Sequence, residues 1–171
     1  RTFLVGTAAL AGGLTILGAA SGTASISGIV EVAPSLSTAA LIPATLLLLT
    51  AAMVQSALVP FQTWLLSSMT APTPVSAFMH AGIVNAGGVL LARFAGVFLE
   101  ISGVMLVVFA VGAVSALLGQ AWMLVQTDVK RSLGCSTVAQ MGFMVLQAGL
   151  GFFAAALTHL ILHGFYKAYF F

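Results

Sequence analysis

About six stretches of this sequence are each roughly twenty residues or more in length and almost wholly apolar, and that recurrence limits what the chain can fold into. A lipid hydrocarbon core is about 30 Å thick, which an α-helix rising about 1.5 Å per residue crosses in about 20 residues. The stretches run from about Thr2 to Ala20, Ala39 to Leu58, Pro74 to Arg93, Ile101 to Gln126, Leu133 to Gly151 and Phe152 to Phe171. They are rich in Ala, Leu and Val and do not alternate polar with apolar residues, as the strands of a membrane β-barrel would. The expected fold is an all-α, polytopic transmembrane bundle forming one domain over residues 1–171. Composition supports this: with 61% hydrophobic and 5% charged residues, a soluble globule would lack the polar side chains to cover its surface.

The same scarcity of charge excludes several functions. Five Lys and Arg against three Asp and Glu leave a net charge of +2, too small and too dispersed for a nucleic-acid footprint. A single cysteine, Cys135, rules out an internal disulfide. No phosphate-cradling loop, nucleophile elbow, haem ligand set or iron–sulfur cysteine pattern is present, so neither a cofactor, an embedded redox centre nor catalytic residues are expected. No initiator Met or signal region precedes Arg1, and the last apolar stretch stops at Phe171. The chain is therefore read as a piece of a longer membrane subunit.

Between the spans, Ser21 to Thr38 is Ser/Gly-rich and reads as a loop, while Gly96 to Glu100 and Thr127 to Arg131 read as short links. Threading six spans places Arg1, Lys130 and Arg131 on one side and Arg93, Glu31 and Glu100 on the other; the excess of positive charge makes the first side cytoplasmic. The link from Val59 to Thr73 falls on that side, with Phe61 and Trp64 as an interfacial anchor. Pro60 is expected to end or kink the second span. Pro72, Thr73 and Pro74 mark a helix entry, because Pro72 cannot continue a helix, Thr73 can cap one, and Pro74 suits a first turn.

Ionisable groups at bilayer depth are costly and tend to line ion or proton pathways. Three stand in the last span, in THLILHGFYKAYFF: His159, His163 and Lys167, spaced four apart and so stacked on one helical face. Water between them would let protons hop along the stack, whereas a structural polar stripe is the plainer alternative. In the third span His80 lies about two turns in, followed by Asn85, which can orient water or a neighbour. Histidine titrates near neutral pH and so suits a relay; packing against an adjacent carbonyl is the alternative. Gln55 is a buried amide in need of partners or water. Asp128 and Lys130 are candidates for gating an aqueous entry, or else part of a solvated loop. His159 and His163, with His80, have the chemistry for zinc, but no HExxH-type base accompanies them and Lys167 would repel the ion, so no metal is expected.

Three segments carry a resemblance to a known family: VPFQTWLLSSMTAPTPVSAFMHAG (Val59 to Gly82), VQTDVKRSLGCSTVAQMGFM (Val125 to Met144) and THLILHGFYKAYFF (Thr158 to Phe171). Together they resemble the antiporter-like membrane subunits: the subunit 5 or L type of respiratory complex I (NADH:quinone oxidoreductase), the Mrp cation/proton antiporters, and the membrane subunit of the DAB inorganic-carbon pump. The resemblance implies a bundle of about fourteen helices with two inverted repeats and broken helices. By position this chain corresponds to about the sixth to eleventh helices. It implies that His80, His159, His163 and Lys167 belong to a buried relay. Relatives in complex I and Mrp typically carry a lysine five residues before the proline of the PFQTW-like stretch; here that position is Gln55. HAGIVNAGG and QSALVPFQTWLLSSMTAPTPVSA are most similar to the inorganic-carbon branch. That branch implies a carbonic-anhydrase-like zinc partner subunit and a bacterial plasma membrane, the other branches complex I or Mrp partners. The leading expectation is a transporter subunit conducting protons or sodium. A proton-pumping subunit of a redox enzyme and a non-conducting scaffold are the alternatives.

Overall fold

The computed structural model describes residues 1–170, and the last residue of the expected sixth span, Phe171, lies outside them. Among the described residues the chain is helical throughout its long elements. These are α1 (Thr2–Ser21), α2 (Ile26–Val32), α3 (Thr38–Gln55), α4 (Thr63–Ser67), α5 (Thr73–Ala81), α6 (Ala86–Arg93), α7 (Ala95–Leu99), α8 (Ser102–Val125), α9 (Val129–Gly149) and α10 (Phe153–Phe170). Among the described residues four stretches are long and apolar enough to cross a membrane: α1, α3, residues 73–93 taken together, and α8. The other two expected spans are the helices α9 and α10, which carry the ionisable and amide side chains described below.

The ends follow from local chemistry. Gly22 closes α1 in the left-handed region, at φ 69, and donates its N–H to the Gly18 carbonyl at 2.9 Å. Asp128 caps α9: its carboxylate accepts the Arg131 N–H at 2.8 Å, satisfying a donor of the first turn that has no intrahelical partner. The Pro72 carbonyl accepts from Val75 and Ser76 as α5 opens, so Thr73 is the first helical residue rather than a cap.

Several expected links contain helix. The segment from Ser21 to Thr38 holds α2 and a 3-10 turn, Ala33–Ser35, because Ile29 and Ala33 find apolar partners and are buried. Residues 96–100 largely form α7, with Val97 and Phe98 in the core. Lys130 and Arg131, expected in a link, stand in the first turn of α9. Pro60 lies beyond the end of α3 at Gln55, in the connection to α4. Trp64, expected at the lipid interface, turns inward, and its indole N–H donates to the Val54 carbonyl at 2.9 Å.

Packing divides into two close helix pairs joined through the middle of the bundle. In one pair α1 lies along α3; in the other α8 lies along α9. The second is seamed with glycine. A Cβ added at Gly112 would stand 2.3 Å from the Leu146 nitrogen, one at Gly142 2.4 Å from the Ala116 nitrogen, and one at Gly149 2.4 Å from the Phe109 nitrogen. The two backbones are thus in direct contact in antiparallel register, which in lipid replaces the hydrophobic drive that water supplies. The broken third span lies between the pairs, against α3 on one side and α9 and α10 on the other. Outward, Leu106, Leu117, Leu124, Ile161 and Phe165 are exposed, as lipid-facing side chains are.

Candidate functional site: a broken helix and a buried polar junction

The third span reads as one helix in the sequence, yet it is interrupted just past His80. α5 ends at Ala81, Gly82 takes φ −116 and ψ −73, a 3-10 turn covers Ile83–Asn85, and α6 resumes at Ala86. The Asn85 N–H, which would serve the Ala81 carbonyl in an unbroken helix, goes instead to Gly82 at 3.0 Å. The Asn85 side chain makes good the loss, its Nδ2 donating to the Ala81 carbonyl at 2.7 Å. From α3 and its end, Ser56 Oγ donates to the Val84 carbonyl at 2.7 Å and Gln55 Nε2 reaches the Ile83 carbonyl at 3.4 Å. Irregular backbone at membrane depth persists only where side chains or water take up its polar groups. Here three side chains do so.

Gln55 also lines a cavity of about 240 Å³ between α1, α3 and α6, with Thr7, Ala86 and Gly87 among its walls. Its apolar remainder includes Phe3, Leu10 and Leu90.

On the other side of the break stands the polar junction. His80 and Thr137 are fully buried, and His80 Nδ1 lies 2.9 Å from Thr137 Oγ1. The Thr137 hydroxyl donates to the Leu133 carbonyl one turn back in α9, at 3.1 Å. Lys167, also fully buried, donates its ammonium to that same carbonyl at 3.0 Å. One turn of α9 therefore joins His80 of α5 to Lys167 of α10. The Lys167 ammonium is further placed 5.9 Å from the centre of the Tyr166 ring.

Continuing along the same face of α10, His163 is buried and His159 half-buried, their ring centres 6.2 Å apart. Among the described residues His163 Nε2 has no hydrogen-bond partner. Both histidines border an open pocket of about 530 Å³ shared with Ser136, Gln140, Leu162 and Tyr166. Its size suits several water molecules, with Ser136, Gln140 and the two histidines as polar partners. Gly164 lets α10 approach: a Cβ there would sit 3.1 Å from the Ala81 carbonyl, at the break itself.

The structure thus brings together His80, His163, His159 and Lys167, and places Gln55 and Asn85 at the break beside them. Asp128 lies apart from these, while the Lys130 ammonium is near enough to act on His80 through its charge. Asp128 is engaged as the α9 cap, and Lys130 Nζ donates to the Ala71 carbonyl ahead of α5. Pro72 and Pro74 frame that same turn. Sequence reasoning missed Ser56, Thr137 and the Leu133 carbonyl. The polar run GCSTVAQ inside an apolar span was the available signal for Thr137; nothing local marked Ser56. Among the described residues no group of three or more His, Cys, Asp or Glu stands together to hold a metal ion.

Against known proteins, the transmembrane family of NADH:quinone oxidoreductase and Mrp antiporter subunits matches residues 1–171. The chain belongs to this family. Among curated members it is 53% identical over 126 residues, 74% of its length, to the probable inorganic carbon transporter subunit DabB1 of Halothiobacillus neapolitanus, covering 22% of that protein. It is 45% identical over 168 residues, 96% of its length, to NADH-quinone oxidoreductase subunit L of Escherichia coli, covering 27% of that protein. Among solved structures, the Mrp complex of Dietzia superposes with a TM-score of 0.93 at 32% identity, covering 98% of this chain and 19% of that one. The chain spans about a quarter of the length of these curated relatives. It is an integral membrane chain of the antiporter-like type, a polytopic helical bundle as its spans require.

Proposed function

We propose that the chain is part of an ion-conducting membrane subunit, for protons or sodium, in an energy-coupled complex that takes up inorganic carbon. The observation that carries this reading is the line of buried His80, Lys167 and His163, continued by half-buried His159, beside a broken helix. Groups so costly in hydrocarbon are retained where they serve a pathway. His80 is the protonatable relay near one half-channel, and the α10 ladder links it sideways toward the pocket at His159. Gln55, standing where relatives in complex I and Mrp typically carry lysine, leaves passage at that point to water in the cavity it lines. Asp128 and Lys130 hold the α9 entry, and any gating acts through that turn. The single domain over residues 1–171 corresponds to about the sixth to eleventh helices of the antiporter-like bundle.

The inorganic-carbon assignment rests on the similarity to the carbon-transporter subunits. On that reading the partner is a carbonic-anhydrase-like zinc subunit and the location a bacterial plasma membrane. The similarity to subunit L along nearly the whole chain favours a second reading, a proton-pumping subunit of a redox complex. Purification of the intact complex separates them by what accompanies the subunit: a zinc protein, or a set of redox subunits. In the first case His163→Ala and Lys167→Ala abolish gradient-driven bicarbonate uptake at normal expression. Normal uptake in both variants refutes the relay.

A further inference from the structure

We propose that Thr137 is a positioning residue that fixes which nitrogen of His80 carries the proton, and that it does so through the carbonyl to which Lys167 is bound. The inference rests on the relay reading above and adds a residue that the ionisable groups alone do not point to.

A threonine hydroxyl has a single hydrogen. At Thr137 that hydrogen is directed to the Leu133 carbonyl, the usual back-bond of a threonine within a helix. The oxygen then faces His80 Nδ1, 2.9 Å away, with lone pairs only. An imidazole nitrogen at that distance must bring its own hydrogen, so the neutral ring is held as the Nδ1–H tautomer. Nε2 becomes the basic atom. A proton arriving at Nε2 forms the imidazolium and one leaving from Nε2 restores the same tautomer; no other bond changes, and Nδ1–H stays on Thr137 throughout. This is the arrangement in which the hydrogen bond at one ring nitrogen sets the chemistry of the other.

The surroundings favour this tautomer. His80 and Thr137 are both fully buried, so bulk water does not compete for Nδ1. The elements packed around His80 present the Lys167 ammonium, the Lys130 ammonium and the His163 ring. The Leu133 carbonyl holds both the Thr137 hydroxyl and Lys167 Nζ, at 3.1 and 3.0 Å. His80 and Lys167 are therefore fixed relative to one turn of α9, and a ring released from Thr137 loses its register with Lys167.

The test uses the intact complex in lipid, with histidine side-chain nitrogens labelled for NMR and the His80 signal assigned by its loss in His80→Asn. In the native protein Nδ1 of neutral His80 is protonated. Thr137→Val keeps the shape and removes the hydroxyl: the His80 ring goes over to Nε2–H or to a mixture, and proton flux into vesicles falls by about tenfold. Thr137→Ser keeps the hydroxyl and retains both the tautomer and the flux. An Nδ1–H signal that persists unchanged in Thr137→Val overturns the proposal whatever the flux does, as does a native ring found as Nε2–H. Native flux in His80→Asn overturns the relay reading itself, an outcome separate from either. A valine variant that fails to fold leaves the native tautomer and the serine variant to decide.

Discussion

Ser56 gives the most direct test of how the break in the third span is held. Its side chain is fully buried, and its hydroxyl donates to the Val84 carbonyl at 2.7 Å. Ser56→Ala removes the donor and leaves the carbonyl in a low-dielectric interior. An unsatisfied buried acceptor costs about 1–3 kcal/mol in soluble proteins, while hydrogen bonds between membrane helices average about 0.6 and reach about 1.7 kcal/mol. Complete burial and a short bond put Ser56 in the upper part of the membrane range, so a loss of about 1–1.7 kcal/mol is expected. The neighbouring Gly87 sharpens the test. A Cβ there would lie 2.3 Å from Ser56 Oγ and 2.5 Å from the Ala52 carbonyl oxygen. Gly87→Ala must therefore displace both the hydroxyl and a backbone, and is expected to cost more than Ser56→Ala, about 2–3 kcal/mol as overpacking does. Because the hydroxyl is one of the two obstacles, the double variant should lose less than the two single losses together. Reversible unfolding of the intact subunit in mixed detergent micelles reads all three values. A Ser56→Ala variant as stable as the native protein, or strict additivity with Gly87→Ala, would show that this hydroxyl does not hold the break.

Two further outcomes follow from the packing. Gly142→Ala sets a Cβ against the Ala116 nitrogen and forces α8 from α9, so the unfolding midpoint falls with a loss of about 2 kcal/mol or more; an unchanged midpoint would show that the seam has slack. Asp128→Ala removes the cap of α9 and costs about 1 kcal/mol in the same measurement, whereas Asp128→Asn keeps most of it, and equal losses in both would point to charge rather than capping.

What was legible in the sequence depended on local pattern. Hydropathy marked the helices, since twenty apolar residues in a row have few other uses. Four-residue spacing put His159, His163 and Lys167 on one face, and the face is real. The break after His80 was not legible. HAGIVNAGG is poor in helix formers but apolar and free of proline, so it passes as part of one span, and the groups that hold it open come partly from Gln55 and Ser56, 28 positions earlier. Likewise α2 and α7 were expected as connections because their short, glycine-containing stretches give no sustained periodicity. Their helical form depends on Ile29, Ala33, Val97 and Phe98 finding a shared core.

The sequence by itself determined the solvent, the secondary structure class, the family and the identity of the ionisable groups. Each of these is written in composition, in runs of one length, or in motifs within a single segment. Only the tertiary structure decided what those groups meet. His80 and Thr137 are 57 positions apart, and Lys167 and the Leu133 carbonyl 34. No periodicity joins such pairs; they come together because α10 packs against both α5 and α9, resting on the break at Gly164. In hydrocarbon a polar group must find its partner within the protein, so the packing that brings those partners together also sets the chemistry available at the site.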